Sequence, residues 1–303
     1  MNNLEAGLTV NKIYIDSRFR TATSRSDSDF SVELPETIYL PVGTRCYVSD
    51  VSITHSWYTI EDNISNKLYF SYKHGADTYS TIITITSQNY SLDTLVDELQ
   101  ARFKDIIEAS PMWVQDRFNP SVVANEAKGT LSIINLTTDV GGNFLKWSDV
   151  DITDDYFAKT WQGGSYNSIF PSSINRVLKN FKTPANNNAN PFQSGFVDLI
   201  TNHSIYIKSP QLGTFQNIGP RGERDILKKV LVNVPFGDLI TQDWYMDYDF
   251  TACSRLALKN LYFRITDVDD SPLQLHGHHV SFSLIFATSL FSNNIYIWKT
   301  QKL

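Results

Sequence analysis

LQLHGHHVSFSLIFATSL, residues 273–290, decides the fold class. Val280, Phe282, Leu284 and Phe286 alternate with Ser281 and Ser283. A period of two sends one row of side chains into a core and the other toward solvent or a neighbour. The same pattern recurs toward both ends of the chain. IYID (13–16) is a short strand, and FSVEL (30–34) puts Phe30, Val32 and Leu34 on one face, with Pro35 expected to end it. In RCYVSDVSITHSWYTI (45–60) the apolar phase runs through Cys46 and Val48, then Val51 and Ile53. That one-residue shift at Asp50 predicts a β-bulge or a bend. KLYFSY (67–72), TIITIT (81–86), LSIINL (131–136), SIYIKS (204–209), KKVLVNVP (228–235) and LALKNLYFRIT (256–266) complete the strands. DVDDSP (267–272) reads as a hairpin-type connection between 256–266 and the strand at 279–290.

One segment breaks the period. From Leu92 to Ile107, the residues Leu92, Leu95, Val96, Leu99, Phe103, Ile106 and Ile107 form a stripe at helical spacing. Ser91 is the expected N-cap, Tyr90 and Leu95 a hydrophobic staple across it, and Ser110-Pro111 the stop. The spacing predicts an amphipathic helix over 91–109, packed on a sheet. TPANNNANPFQSG (183–195) is a low-complexity surface loop, and Gly141-Gly142 a turn. About four strands precede the helix and about five follow the Asn-rich loop, roughly the eight of a jelly roll. The chain is therefore read as mainly β: a single jelly-roll β-sandwich carrying an inserted, mixed α/β domain. Residues 1–86 and 196–303 make the jelly roll and 87–195 the insertion.

Composition narrows the function. A chain of 303 residues has ample length for a buried core, and its net charge of −6 argues against nucleic acid as the main partner. No apolar run approaches the ~20 residues that span a bilayer as a helix, and the N-terminus lacks the pattern of a signal peptide. The sequons at Asn63, Asn89, Asn135 and Asn202 are then read as coincidental. Cys46 and Cys253 are two thiols far apart in apolar strands, read as buried and reduced, with a structural disulfide as the lesser alternative.

No GxSxG elbow, HExxH helix, Walker loop or strand-borne GxGxxG is present. His276, His278 and His279 could approach a metal, but no Cys or carboxylate adjoins them, and a turn-and-strand role is the plainer reading. Asp149, Asp151, Asp154 and Asp155 lack the glycine and closing glutamate of a calcium loop. Asp267, Asp269 and Asp270 read as turn chemistry. The residues imply no cofactor, no metal and no catalytic group.

Several blocks taken together resemble a family. IYIDSRFR, SDFSVELPETIYLPVGTRCYVSDVSITHSW, NKLYFSY and QNYSLDTLVDELQ are similar to the N-terminal half of the minor capsid (penton) proteins of virophages and Polinton-like elements. RDILKKVLVNVPFGDLI and LALKNLYFRITDVDDSPLQLHGHHVSFSLIF are similar to the C-terminal half, while about 110–200 aligns with nothing. The resemblance implies a single jelly roll assembling as a homopentamer at the fivefold vertices of an icosahedral virion shell. It implies a double-jelly-roll major capsid protein as neighbour, assembly in host cytoplasm, and an insertion facing outward where it could meet a host surface.

A ring of identical subunits joins two different surfaces of each. Loops 17–29, 55–66 and 210–225 are the candidate contacts. Their large side chains Phe19, Trp57, Tyr58 and Phe215 are the kind that anchor interfaces, with Arg18, Arg20, Arg25 and Arg221 as cations beside them. Each aromatic could instead tuck into its own core, and for a lone aromatic that reading outweighs the first. Asp16, Asp27 and Asp29 flank the arginines closely enough for an ion-pair network within or between subunits. The alternative function is a jelly-roll attachment or glycan-binding module, with Trp147, Trp161 and Tyr166 as stacking candidates.

Overall fold

The computed structural model describes residues 8–74, 77–136, 150–151, 173–178, 192–213, 217–220, 222–242 and 249–289. Among them are fifteen strands: β1 Leu8–Asp16, β2 Asp29–Tyr39, β3 Thr44–Thr54, β4 Lys67–His74, β5 Asp77–Thr84, β6 Pro120–Asn125, β7 Thr130–Asn135, β8 Val150–Asp151, β9 Phe192–Gln193, β10 Ser204–Lys208, β11 Ile226–Leu231, β12 Leu239–Gln242, β13 Thr251–Ala252, β14 Ala257–Thr266 and β15 Val280–Ser289. The principal helix, α1, spans Leu92–Glu108. The chain divides into two units, 1–57 with 202–303, and 58–201. The second unit is thus inserted into the first, and it begins at 58 rather than 87 and ends at 201 rather than 195. The reason is pairing: β4 and β5 join β8 in a sheet of their own, order β5-β4-β8, and are hydrogen-bonded to none of the sandwich strands among the described residues.

The outer unit is a jelly roll, and its pairing shows why. One sheet has the order β1-β15-β3-β12, with β13 also paired to β3, and the other β11-β10-β14-β2. Leaving out the two-residue β13, the first strand pairs with the last (β1 with β15) and the second with the second-last (β2 with β14). The third pairs with the third-last (β3 with β12), and the middle two with each other (β10 with β11). A long antiparallel hairpin rolled over itself has this nesting, and it yields two four-stranded sheets face to face. The insertion occupies the connection between β3 and β10.

Between the sheets lies one apolar core. Val280, Phe282, Leu284 and Phe286 of β15 and Val48, Val51 and Ile53 of β3 meet Phe30, Ile205, Ile207, Leu261, Phe263 and Ile265 from the opposite sheet. Phe263 packs edge-on against Phe282 across the interface, with centroids 5.1 Å apart at 84°. The bulge expected at Asp50 is present. Ser281 pairs with Ser52 but Ser283 with Ser49, so β3 carries one extra residue, and Asp50 has φ 38°.

Two local expectations change. Pro35 does not end its strand, because β2 is a sheet edge and continues to Tyr39 past a register slip. An edge strand tolerates the missing donor, and Lys259 Nζ donates to the Leu34 and Pro35 carbonyls at 2.7 and 3.1 Å. DVDDSP is not a hairpin between β14 and β15, which lie in different sheets. It reverses the chain only for a single bridge, Thr266 with Pro272, before the chain leaves for the other sheet.

In the inserted unit Ser91 caps α1 through a capping box with Thr94, and Leu95, Leu99, Phe103 and Ile107 are buried along one face. They join Val122, Leu131 and Ile133 from a second sheet, order β6-β7-β9, and Leu68, Ile83 and Ile85. The β6–β7 turn closes at Gly129, with φ 60° in the left-handed region. A Cβ there would also come within 2.5 Å of the Phe196 ring. Gly129→Ala is therefore expected to cost the inserted unit about 1–2 kcal/mol from the backbone alone, read as a lower urea midpoint. A neutral result would show that the turn relaxes to another conformation.

Candidate functional site

The sandwich end where the β1–β2 and β14–β15 connections meet carries four of the eight candidate contact residues, Arg18, Phe19, Arg20 and Arg25. Asp16 closes β1 and caps a 3-10 turn, Ser17–Phe19, by accepting the Arg18 N–H at 2.9 Å. The Arg18 guanidinium then folds back onto the same carboxylate at 2.6 Å. That bond holds the Asp16 carboxyl below its ordinary range, against the opposing effect of burial. Arg20 pairs with Asp27, and Arg25 lies 3.6 Å from Asp29. Each arginine of the 17–29 loop thus faces a carboxylate of its own subunit.

The neighbouring connection ties down the same loop. His279 Nδ1 lies 3.1 Å from Asp27 Oδ1, Ser28 Oγ donates to the Leu273 carbonyl at 2.6 Å, and the Val280 N–H donates to Ser17 Oγ at 3.1 Å. Asp267 Oδ1 accepts the N–H groups of Asp269 and Ser271 at 2.9 and 2.8 Å, the turn role expected of this aspartate cluster. Among the large apolar side chains of these two connections, Phe19 is the most exposed, at 75%, ahead of Val268 at 46%.

The remaining candidates scatter. Trp57 is withdrawn from the contact surface: it is 2% exposed and belongs to the sandwich core, with its ring 4.5 Å from that of His55. Tyr58 opens the inserted unit, half-buried, its N–H donating to Glu61 Oε1 at 2.7 Å. Phe215, Arg221, Trp147, Trp161, Tyr166, Asp149, Asp154, Asp155, the Gly141-Gly142 turn and most of the Asn-rich loop lie outside the described residues. Among the described residues, no group of three or more His, Cys, Asp or Glu side chains could hold a metal, and no helix is long and apolar enough to cross a membrane.

Sequence reasoning missed a buried charge cluster on the outer face of the second sheet. Lys208, alternating with Ile205 and Ile207, turns away from the core, yet its side chain is only 1% exposed. Glu223 covers it from one loop and Asp270 from another, at 3.2 and 2.9 Å, and Arg264 also reaches Asp270 at 3.2 Å. Burial raises the Asp270 carboxyl, but the bond and charge of Lys208 and the charge of Arg264 outweigh it and leave the group below its ordinary value. Nearby, burial and then the bond to Asp29 push the Tyr262 phenol up to about 12. The period of two in SIYIKS shows that Lys208 leaves the core; that two distant loops cover it has no local signature.

These groups are cross-links between loops. They stiffen one end of the sandwich and present an aromatic side chain there, an arrangement suited to contact with another molecule.

No protein-family model and no curated protein sequence matches the chain. Among solved structures, the chain is similar to that titled "Crystal structure of SeMet-labeled mavirus penton protein", at 9% identity and a TM-score of 0.48, covering 94% of this chain and 100% of that one. No residue role is transferred at that distance.

Proposed function

We propose that this protein is a non-enzymatic capsid subunit, the penton that closes the fivefold vertices of an icosahedral virion shell. In this reading five copies form a ring, a double-jelly-roll major capsid protein surrounds it, and the protein is found at the capsid vertices. The observation that carries the proposal is the nested pairing of an eight-strand jelly roll interrupted by a whole second unit between its third and fourth strands. Jelly rolls serve both capsids and lectins, so the fold alone leaves the function open. The sequence blocks that resemble virophage and Polinton-like pentons favour the capsid. The cross-linked loops 17–28 and 267–279 add a stiff contact end, and Phe19 supplies an exposed anchor of the type found at interface centres.

The test is the native mass of the purified protein by light scattering after size exclusion, over a range of concentrations, joined to a reconstruction of assembled particles. A five-subunit mass, or density at the vertices fitted by the jelly roll, is the expected result. A stable trimer with unrelated vertex density would overturn the reading in favour of an attachment protein.

A further inference from the structure

The two cysteines of the chain, far apart in sequence, meet in the fold. Thr251 pairs with Cys46 and Ala252 with Arg45, and the Cys253 N–H continues the ladder by donating to the Thr44 carbonyl at 3.0 Å. Cys253 is therefore the diagonal neighbour of Cys46, two residues along on the same face, a pair about 7–8 Å apart at Cα that a disulfide bridges only with a shift of the backbone. Both side chains are in the sandwich core, 1% and 3% exposed. Interaction with the Cys253 thiol, with burial, holds Cys46 far above the ordinary thiol range, and Cys253 Sγ itself donates to the Thr44 carbonyl at 3.9 Å.

The segment that carries Cys253 is held to the sandwich end by a short ladder. The Gly43 N–H donates to Ser254 Oγ at 3.0 Å, the Arg255 N–H to the Leu40 carbonyl at 2.9 Å, and the Leu40 N–H to the Leu256 carbonyl at 2.8 Å. A buried thiol by itself behaves as a small apolar side chain. Two set diagonally on one core face of this ladder can do more.

We propose that Cys46 and Cys253 form a redox-responsive pair that closes to a disulfide and staples the segment 253–256 to β3. The oxidant is a low-molecular-weight disulfide such as glutathione disulfide. One cysteine thiolate attacks it, forms a mixed disulfide and releases one glutathione thiolate. The second cysteine thiolate attacks the protein sulfur of that mixed disulfide and releases the second glutathione thiolate. The two protons lost by the cysteines end on the released glutathiones, and the two electrons lost by the protein sulfurs reduce the oxidant. A buried, high-pKa thiol is a poor nucleophile, so the exchange is gated by local opening of the 253–256 ladder. The inference stands on the jelly-roll pairing and is independent of the capsid reading.

The experiment uses the reduced full-length protein, incubated with glutathione disulfide at mildly alkaline pH and in urea just below the unfolding transition. The expected product has no titratable thiol after denaturation, an intact mass lower by two hydrogens, and a peptide joining Cys46 to Cys253. Its melting midpoint rises by about 5–15 °C and returns on reduction. Cys46→Ala and Cys253→Ala are each expected to retain one glutathione instead. The wild-type peptide map needs neither variant to fold. A wild-type protein that keeps both thiols, holds a stable single-glutathione adduct, or cross-links between subunits overturns the proposal.

Discussion

Exchanging Glu223 for Gln together with Asp270 for Asn is expected to destabilise the sandwich unit by about 3–5 kcal/mol, because it strands a buried ammonium without a carboxylate. Lys208 is fully covered, and the two carboxylates that reach its Nζ come from separate loops. Asn suits the backbone at Asp270, whose φ is 67°, so the loss reports charge rather than strain. Adding Lys208→Met to the double variant is expected to recover most of the loss, since apolar replacement of a whole buried ion cluster is often neutral. Urea unfolding followed by the summed fluorescence of the six tryptophans, Trp57 of the sandwich core among them, measures this. A double variant within about 0.5 kcal/mol of wild type would mean that water reaches Lys208 and solvates it.

Phe263→Ala should cost a comparable ~3–5 kcal/mol, by removing a large ring from a core that can close only in part around the cavity. Phe263 is fully buried, 5.8 Å from Phe30 in its own sheet and 5.1 Å from Phe282 in the facing one, so its loss loosens both sheets at once. Phe19→Ala is the informative contrast. An exposed side chain of the free subunit should change stability by no more than about 0.5 kcal/mol. If Phe19 anchors the proposed ring, the same substitution moves the five-subunit species toward monomer at concentrations where wild type stays assembled. Stability and native mass measured together separate the roles: a Phe19 variant that keeps both removes Phe19 from the interface, while a Phe263 variant without a stability loss would contradict the packed core.

Much of the fold was legible because it is written in short-range periods. The alternation in 280–286 placed Val280, Phe282, Leu284 and Phe286 in a core, and all four are buried. The phase shift at Asp50 located a bulge to the residue, because an extra residue must move the apolar set to the other face or bend the strand. Ser91, Tyr90 and Leu95 marked the start of α1, because the cap acts within one turn of the residues it satisfies. The contact surface was less legible. Arginines 18, 20 and 25 near Asp16, Asp27 and Asp29 suggested ion pairs, and the 3-10 turn and the β14–β15 connection decided that the partners are intramolecular. Trp57 and Phe19 are both large aromatics in candidate loops, and only the packing separates the buried one from the exposed one.

The sequence by itself marked the strongly alternating strands and the long helix, the apolar face of each, and that a sandwich surrounds an insertion, but not β6, β12 or the start of β1 at Leu8. It did so because side-chain alternation and capping depend on neighbours a few positions away. The tertiary structure alone decided that β4 and β5 belong to the inserted unit, that β14 and β15 lie in different sheets, and that Pro35 sits within an edge strand. It also decided that Lys228 reaches through to the Val48 carbonyl at 3.1 Å, with its pKa lowered by burial. Backbone hydrogen bonding is the same for every strand, so an apolar alternating segment carries no mark of its partner. The partner is selected by which distant faces fill a common core and which distant carboxylates, thiols or carbonyls satisfy the polar groups buried with it.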